Sequence, residues 1–93
     1  MYQLEVTTKF KKDLKKIKKS PKDFTAVVKV LKLLKKGGVT EIPSVMKPHP
    51  LKANYKNHWE CHIKPDLLIF WFQIDNDNII KLIRIGSHSD LFK

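Results

Sequence analysis

The sequence predicts an α+β fold, β-α-α-β-β-β, in which two N-terminal helices pack on one face of a mostly antiparallel four-stranded sheet and leave the other face open. Three observations support this prediction. Residues 2–7 alternate between apolar and polar side chains, residues 8–36 carry apolar side chains at helical spacing, and residues 58–85 contain three short apolar segments separated by turn sequences. The 93 residues suffice for one modest core, so we expect a single domain over 1–93.

The first helix is predicted directly after the strand of residues 2–7. Thr7 and Thr8 supply an N-cap, and seven lysines lie between Lys9 and Lys19. The apolar side chains recur at i, i+4 and i+7, which indicates an amphipathic helix with a strongly basic outer surface. These apolar residues are Phe10, Leu14 and Ile17.

A second helix is predicted from Pro21 onward. Ser20 is a typical capping residue, and proline is favoured at the first helical position. Gly37 and Gly38 end the helix. Its apolar face is predicted to contain Phe24, Val27, Val28, Leu31 and Leu34.

Residues 39–57 show no clear period and contain three prolines, which predicts a long loop. A loop of this length in a small domain is usually functional. Within it, Pro48 and Pro50 flank His49 and stiffen the backbone around its imidazole. Such stiffening suits a side chain that must be held in place.

Three strands are predicted after this loop. In residues 58–64 the side chains alternate, with Trp59, Cys61 and Ile63 on one face and His58, Glu60 and His62 on the other. Residues 67–74 are apolar on both faces and so predict a central strand. In residues 79–85, Ile83 and Ile85 are expected to share a face, opposite to Arg84.

Charge is the most informative property of the whole chain. The net charge is +10, and twelve of the nineteen basic residues lie in residues 1–36, against Glu5, Asp13 and Asp23. This imbalance predicts an anionic partner, most simply nucleic acid. The longest apolar run, Leu67 to Phe72, is too short to span a membrane, and we expect a soluble cytoplasmic protein.

The candidate functional residues fall on the open face and at its ends. Arg84 is the only arginine and therefore the only planar guanidinium that can hold a phosphate by two parallel hydrogen bonds. His88 follows just past the last strand, His62 lies on the open face, Asp66 lies at a hairpin bend, and His49 of the loop can reach the same place. From Arg84 and His88 alone, a core-edge arginine in a salt bridge and a solvated loop histidine is the simpler explanation.

This set of residue types suits cleavage of RNA, which carries its own nucleophile. A catalyst needs a base for the 2′-hydroxyl proton, an acid for the departing 5′ oxygen, and a cation beside the charge on the phosphorane. No cofactor and no metal are expected: His58 and His62 are four residues apart on one strand, roughly 13 Å at about 3.3 Å per residue, too far to share an ion. The lone Cys61 is interpreted as a small core residue, not a nucleophile.

Three blocks of this sequence resemble the YafQ branch of the RelE/ParE toxins of bacterial toxin-antitoxin systems. They are His49-Pro50-Leu51, Glu60-Cys61-His62-Ile63-Lys64-Pro65-Asp66 and Arg84-Ile85-Gly86-Ser87-His88-Ser89-Asp90-Leu91-Phe92. The resemblance implies a RelE-like fold and a ribosome-dependent endoribonuclease that cuts mRNA in the ribosomal A site beside ribosomal RNA. It also implies a cognate antitoxin that silences the toxin, with operator DNA contacted only through that antitoxin.

The same resemblance implies the residues of the site. The catalytic set would be His49, His62, Asp66, Arg84 and His88. We interpret His49 as the general base, supported by Asp66 and His62, His88 as the general acid, and Arg84 as the phosphorane-stabilising cation, with base and acid exchangeable. Phe92, Lys52 and Glu60 are expected to contact the substrate.

Two other functions fit the sequence less well. A non-enzymatic toxin of the ParE type, which acts by binding a topoisomerase, would share the fold, but its relatives generally lack these histidines. A basic RNA-binding module would bind RNA and leave it intact at every pH, whereas an enzyme would show a rate that reports its acid and base.

Overall fold

A five-stranded sheet in the order β1-β5-β4-β3-β2 organises the protein. The structure is a computed structural model that describes residues 1–51 and 56–92. The strands are β1 (Gln3–Val6), β2 (His49–Pro50), β3 (His58–Lys64), β4 (Leu67–Ile74) and β5 (Ile79–Gly86). The α-helices are α1 (Thr8–Ile17), α2 (Pro21–Gly37) and the short α3 (His88–Leu91), and two 3₁₀ turns span Gly38–Glu41 and Ser44–Met46.

The sheet is mostly antiparallel, as predicted. β1 pairs with β5 in parallel, while β5–β4, β4–β3 and β3–β2 are antiparallel. β4 is the central strand, which confirms the interpretation of its two apolar faces. The predicted count of four strands is wrong by one, because His49 and Pro50 pair with Glu60 and Trp59 at the sheet edge. A two-residue strand between prolines is too short to show a period of two in the sequence.

The helix boundaries follow the predicted signals. The Thr7 hydroxyl accepts a hydrogen bond from the Phe10 backbone N–H at 3.2 Å and so caps α1. Pro21 is the first residue of α2, and Gly38 ends it at a φ of 68°. A Cβ at Gly38 would also lie 2.8 Å from the Gln73 side chain, so only glycine fits this helix end.

The core lies between the helices and one face of the sheet. Its buried side chains from the helices and the first 3₁₀ turn are Phe10, Val27, Val30, Leu34 and Ile42, and those from the strands include Cys61, Ile63, Ile69, Trp71, Ile80, Leu82 and Ile85. Trp59 packs against this cluster, which confirms the predicted alternation in β3. Val6 at the end of β1 is 44% exposed, so the alternation predicted for residues 2–7 holds only for Tyr2 and Leu4.

A β-bulge in β5 changes which side chains face the core. Phe70 pairs with Arg84 while Trp71 pairs with Leu82, so Ile83 has no partner of its own on β4. Leu82 and Ile85 are therefore buried in the core, and Ile83 lines a cavity with Phe70 and Phe92. The prediction that Ile83 and Ile85 share a face is wrong, because strict alternation does not survive an inserted residue.

No helix within the described ranges is long and apolar enough to cross a membrane.

Candidate active site

One row of residues crosses four strands on the face of the sheet opposite the core. His49 on β2 pairs with Glu60 on β3, Glu60 pairs with Phe70 on β4, and Phe70 pairs with Arg84 on β5. Side chains at paired positions of a sheet stand on the same side. The sheet register thus collects residues that are far apart in sequence into one line.

Glu60 lies between two of the histidines. Its Oε1 is 3.0 Å from Nε2 of His49 and 3.9 Å from Nε2 of His62, and its side chain is only 9% exposed. Nδ1 of His49 is bonded to the Lys47 carbonyl oxygen at 2.8 Å. The stiff segment predicted around His49 therefore holds the ring by both nitrogens.

The contact with Lys47 fixes the tautomer of His49. A carbonyl oxygen only accepts, so Nδ1 of His49 donates to Lys47. Nε2 of the neutral imidazole then carries a lone pair, and a protonated imidazole would form an ion pair with Glu60 Oε1 across the 3.0 Å contact.

His88 is held differently, by Asp66 at the β3–β4 bend. Oδ1 of Asp66 accepts from the His88 backbone N–H at 3.0 Å and contacts Nδ1 of the ring at 2.8 Å. These two hydrogen bonds, the backbone one first, lower the pKa of the Asp66 carboxyl. Because a carboxylate only accepts, Nδ1 carries the proton, and Nε2 of His88 has no hydrogen-bond partner among the described residues.

The turn that carries His88 is fixed by its own sequence. Ser87 accepts from the Asp90 backbone N–H at 3.1 Å, and the Asp90 carboxylate accepts from the Ser87 N–H at 3.4 Å. This reciprocal pair is a capping box for α3. Ser87 is therefore the residue that starts this short helix.

The three histidine rings form a continuous series. The ring centroids of His49 and His62 are 6.4 Å apart, and those of His62 and His88 are 5.8 Å apart. Phe92 stacks beside His88 at 6.1 Å and contacts Phe70 at 5.7 Å. The structure thus brings together four of the predicted residues, His49, His62, Asp66 and His88, with Phe92 next to them.

An apolar cavity of about 620 Å³ opens beside this series. It is lined by His49, Pro50, Leu51, His58, Phe70, Ile83, Leu91 and Phe92. The Phe92 side of the cavity is accessible, since that residue is 60% exposed. We call this space the Phe92 cavity.

Arg84 forms a salt bridge with Asp13, a partner that was not predicted from the sequence. Its Nε donates to Asp13 Oδ2 at 2.7 Å and its Nη2 donates to Asp13 Oδ1 at 3.1 Å. Asp13 Oδ2 also accepts from the Ile85 backbone N–H at 3.0 Å. The guanidinium is therefore turned toward α1, and the hydrogen bonds to Asp13 raise the pKa of Arg84 above its usual value. Nη1 makes no hydrogen bond to the described residues.

Two functional contacts were missed or misassigned from the sequence. Asp66 was expected to support His49, but it bonds to His88, and Glu60 bonds to His49 instead. Glu60 lies on the same strand face as His58 and His62, and this position was the signal in the sequence for its contact with a histidine. For Asp13 the signal was its position on the apolar stripe of a lysine-rich helix, between Phe10 and Leu14.

Lys52, which was expected to contact the substrate, lies outside the described residues.

The outer surface of α1 is strongly positive. All seven of its predicted lysines, from Lys9 to Lys19, are exposed. Elsewhere Lys64 pairs with Asp23 at 2.6 Å and Lys36 pairs with Glu41 at 3.6 Å. The lysines of α1 therefore supply a surface charge suited to a polyanion.

Cys61 is buried in the core, as predicted. Burial, with a smaller effect from the Glu60 charge, raises the pKa of its thiol to about 12. In residues 1–51 and 56–92, no group of three or more His, Cys, Asp or Glu is arranged to hold a metal ion.

Comparison with known proteins places this geometry in a family. The model of the bacterial toxin of type II toxin-antitoxin systems, YafQ, matches residues 2–93. The mRNA interferase toxin YafQ of Escherichia coli (strain B / BL21-DE3) is 30% identical over 89 residues, which cover 96% of this chain and 94% of that protein.

Solved structures agree. A chain of the E. coli DinJ-YafQ complex has a TM-score of 0.88 at 28% identity, with all of both chains covered. A metal-bound toxin from Helicobacter pylori has a TM-score of 0.84 at 39% identity, covering 99% of this chain and 100% of that one. Together with the family match over residues 2–93, these similarities show that the chain belongs to the YafQ family of bacterial toxins of type II toxin-antitoxin systems.

Proposed function

We propose that this protein is an endoribonuclease that cleaves mRNA on the ribosome by acid–base catalysis, without a metal. The observation that carries the proposal is the series of His49, His62 and His88, whose neighbouring ring centroids are 6.4 and 5.8 Å apart. Each of the three rings lies within 3.9 Å of a carboxylate, His49 and His62 beside Glu60 and His88 beside Asp66. The name of the E. coli relative, an mRNA interferase toxin, supports the same substrate.

The reaction is a transesterification within the RNA. The 2′-hydroxyl oxygen attacks the adjacent phosphorus and loses its proton to a base. The bond from phosphorus to the 5′ oxygen then breaks, and that oxygen takes a proton from an acid. The products are a 2′,3′-cyclic phosphate and a 5′-hydroxyl. Base and acid each contribute about 10²- to 10⁴-fold to the rate.

The hydrogen bonds favour His88 as base and His49 as acid, the exchange of the roles expected from the sequence. Nε2 of His88 carries a lone pair, because Asp66 holds the proton on Nδ1. A protonated His49 would instead carry its second proton on Nε2, 3.0 Å from Glu60 Oε1, and could donate it. His62, half-buried between the two rings, is positioned to contact the phosphate.

Arg84 would stabilise the charge of the phosphorane. Asp13 occupies Nε and Nη2 of the guanidinium, which leaves Nη1 for a phosphate oxygen. A guanidinium oriented in advance needs no reorganisation when charge develops in the transition state. Asp13 is therefore a positioning residue in this proposal.

The lysines of α1 would bind ribosomal RNA. Five exposed lysines on α1 and two directly after it form a dense positive surface. Binding by phosphate contacts releases counterions, so affinity for ribosomes should fall steeply as salt increases. A salt-independent affinity would contradict this part of the proposal.

A cognate antitoxin would neutralise the protein. Support comes from the relative solved in the DinJ-YafQ complex, with a TM-score of 0.88 to this chain. The net charge of +10 suits an acidic antitoxin segment that covers part of the basic surface.

The test is to induce the gene and map mRNA 5′ ends in wild type, His49→Ala and His88→Ala. Asn76→Ala, in the exposed turn between β4 and β5, serves as a control outside the site. We expect new 5′ ends in wild type and the control, and their loss in both histidine variants. Wild-type growth arrest without new ends, or unchanged cutting by His88→Ala, would overturn the proposal.

A further inference from the structure

A second cavity, separate from the Phe92 cavity, is lined by His62. It has a volume of about 480 Å³ and lies between the 3₁₀ turn Ser44–Met46 and the end of β3. Its apolar lining includes Val45, Met46 and Pro65, and it is also lined by Lys47, Lys64 and His62. We call it the Val45 cavity.

The position of the Val45 cavity relates it to the proposed reaction. His62 lines it directly, and the His62 ring lies between those of His49 and His88. His49 lines the Phe92 cavity. The histidine series therefore borders two concave apolar surfaces, one at His62 and one at His49.

The lining of the Val45 cavity combines two kinds of contact. Val45 is apolar yet 81% exposed, and Met46 beside it offers a polarisable thioether that contacts rings favourably. Lys47 adds positive charge, while the charge of Lys64 is offset by Asp23 at 2.6 Å. An apolar surface next to a cation is a pattern that suits a nucleoside with its phosphate.

The cavity is also linked to the orientation of His49. Lys47 has a φ of 52°, in the left-handed region, and its carbonyl accepts from Nδ1 of His49 at 2.8 Å. The segment that lines the cavity is thus the same segment that holds the proposed acid. An occupant of the cavity would contact the support of His49.

We propose that the Val45 cavity binds one of the two nucleosides that flank the scissile phosphate, while the Phe92 cavity binds the other. This inference rests on the proposed endoribonuclease function. It goes further in assigning a second base-contacting subsite to Val45 and Met46, residues outside all three sequence blocks of the family resemblance. A nucleic-acid occupant is favoured over a protein segment by the charge of Lys47 and by the direct continuity with the histidine series.

The experiment compares Val45→Asp with Ser44→Asp. Both residues are exposed and adjacent, so both variants should fold, and both add the same negative charge, but only Val45 lines the cavity. Cleavage is measured on ribosomes programmed with intact mRNA or with mRNA that lacks the base on one side of the scissile phosphate. We expect Val45→Asp to raise KM about 10-fold on intact mRNA, as for loss of one base contact, and Ser44→Asp to raise it much less.

Abasic substrates identify the subsite. Removal of the base on one side should abolish the difference between wild type and Val45→Asp, while removal on the other side should leave it intact. An equal effect of Val45→Asp on all substrates, or no effect on any, would overturn the inference.

Two other outcomes are separable. If Val45→Asp weakens antitoxin binding and leaves KM unchanged, the cavity is a protein contact and the inference is wrong. If wild type does not cut the intact mRNA at all, the proposed function itself fails, and binding of a 2′-O-methylated mRNA still tests the subsite.

Discussion

The two histidine–carboxylate pairs of the site differ in their surroundings. Glu60, which holds His49, is 9% exposed, whereas Asp66 and its partner His88 are 67% and 52% exposed. Both contacts are near 3 Å, but a buried carboxylate lacks the water that would otherwise stabilise its charge. An exposed pair is screened by solvent and contributes little to stability. The two pairs therefore differ in the carboxylate that the imidazole contacts, which is buried beside His49 and exposed beside His88.

The largest effect should come from Glu60→Gln. The amide cannot form an ion pair with a protonated His49, so we expect single-turnover cleavage to fall about 10²- to 10³-fold, as for loss of an acid. Glu41→Gln, which removes a carboxylate paired with Lys36, is the matched control and should cut normally. Near-normal cleavage by Glu60→Gln would show that the buried pair is structural.

Asp13→Asn tests whether burial also strengthens the ion pair of Arg84. Asp13 is 11% exposed and accepts three hydrogen bonds, so we expect the free energy of unfolding in urea to fall by about 1–3 kcal/mol. Asp23→Asn breaks the pair of Asp23 and Lys64, whose side chains are 35% and 40% exposed. It should lower the free energy of unfolding by less than about 1 kcal/mol. Equal losses would remove the distinction between buried and exposed pairs.

Asp66→Asn should slow cleavage about 10-fold, less than loss of the base itself. The amide can still accept from the His88 backbone and ring, but it no longer stabilises the charged imidazole that forms when His88 takes a proton. The measurement is the pH–rate profile, whose ascending limb should move in this variant. An unchanged profile together with an unchanged rate would exclude His88 as the base that Asp66 supports.

The smallest expected effect is the contribution of Asp66 to the pH dependence of the free energy of unfolding. Hydrogen bonds from His88 lower the pKa of Asp66 in the folded state below the ordinary value of 3.8. The resulting stabilisation is present above that value and is lost as the pH falls through the lower folded pKa. Wild type should thus unfold at slightly higher urea than Asp66→Asn at pH 6, and the two curves should converge in strong acid. A difference that grows toward low pH would contradict this assignment.

Much of the fold was predictable because its signals are local. The cap at Thr7, the proline at 21 and the helix end at Gly38 each act within a few residues, and each appears at its predicted position. The bulge at Ile83 and the edge strand at His49 were not predictable, since both depend on pairing with a neighbouring strand. Local patterns carry no information about register.

The same lack of information about tertiary contacts explains which parts of the site could be predicted from the sequence. The histidines were found because few residue types titrate near neutral pH, and the resemblance to a family collected them. Their partners depend on tertiary contacts: Glu60 reaches His49 through the β2–β3 register, and Asp13 reaches Arg84 across 71 residues of sequence. Composition identified the reactive groups but could not pair them.

The placement of β5 has a consequence for biosynthesis. This strand comes last in the chain but lies between β1 and β4, and the turn with His88 follows it directly. A ribosome making the protein therefore synthesises β1 to β4 before the sheet can close around β5 and before the imidazole of His88 can take its place. An enzyme of the proposed kind would stay harmless to the ribosome that synthesises it until β5 and the turn with His88 have been released.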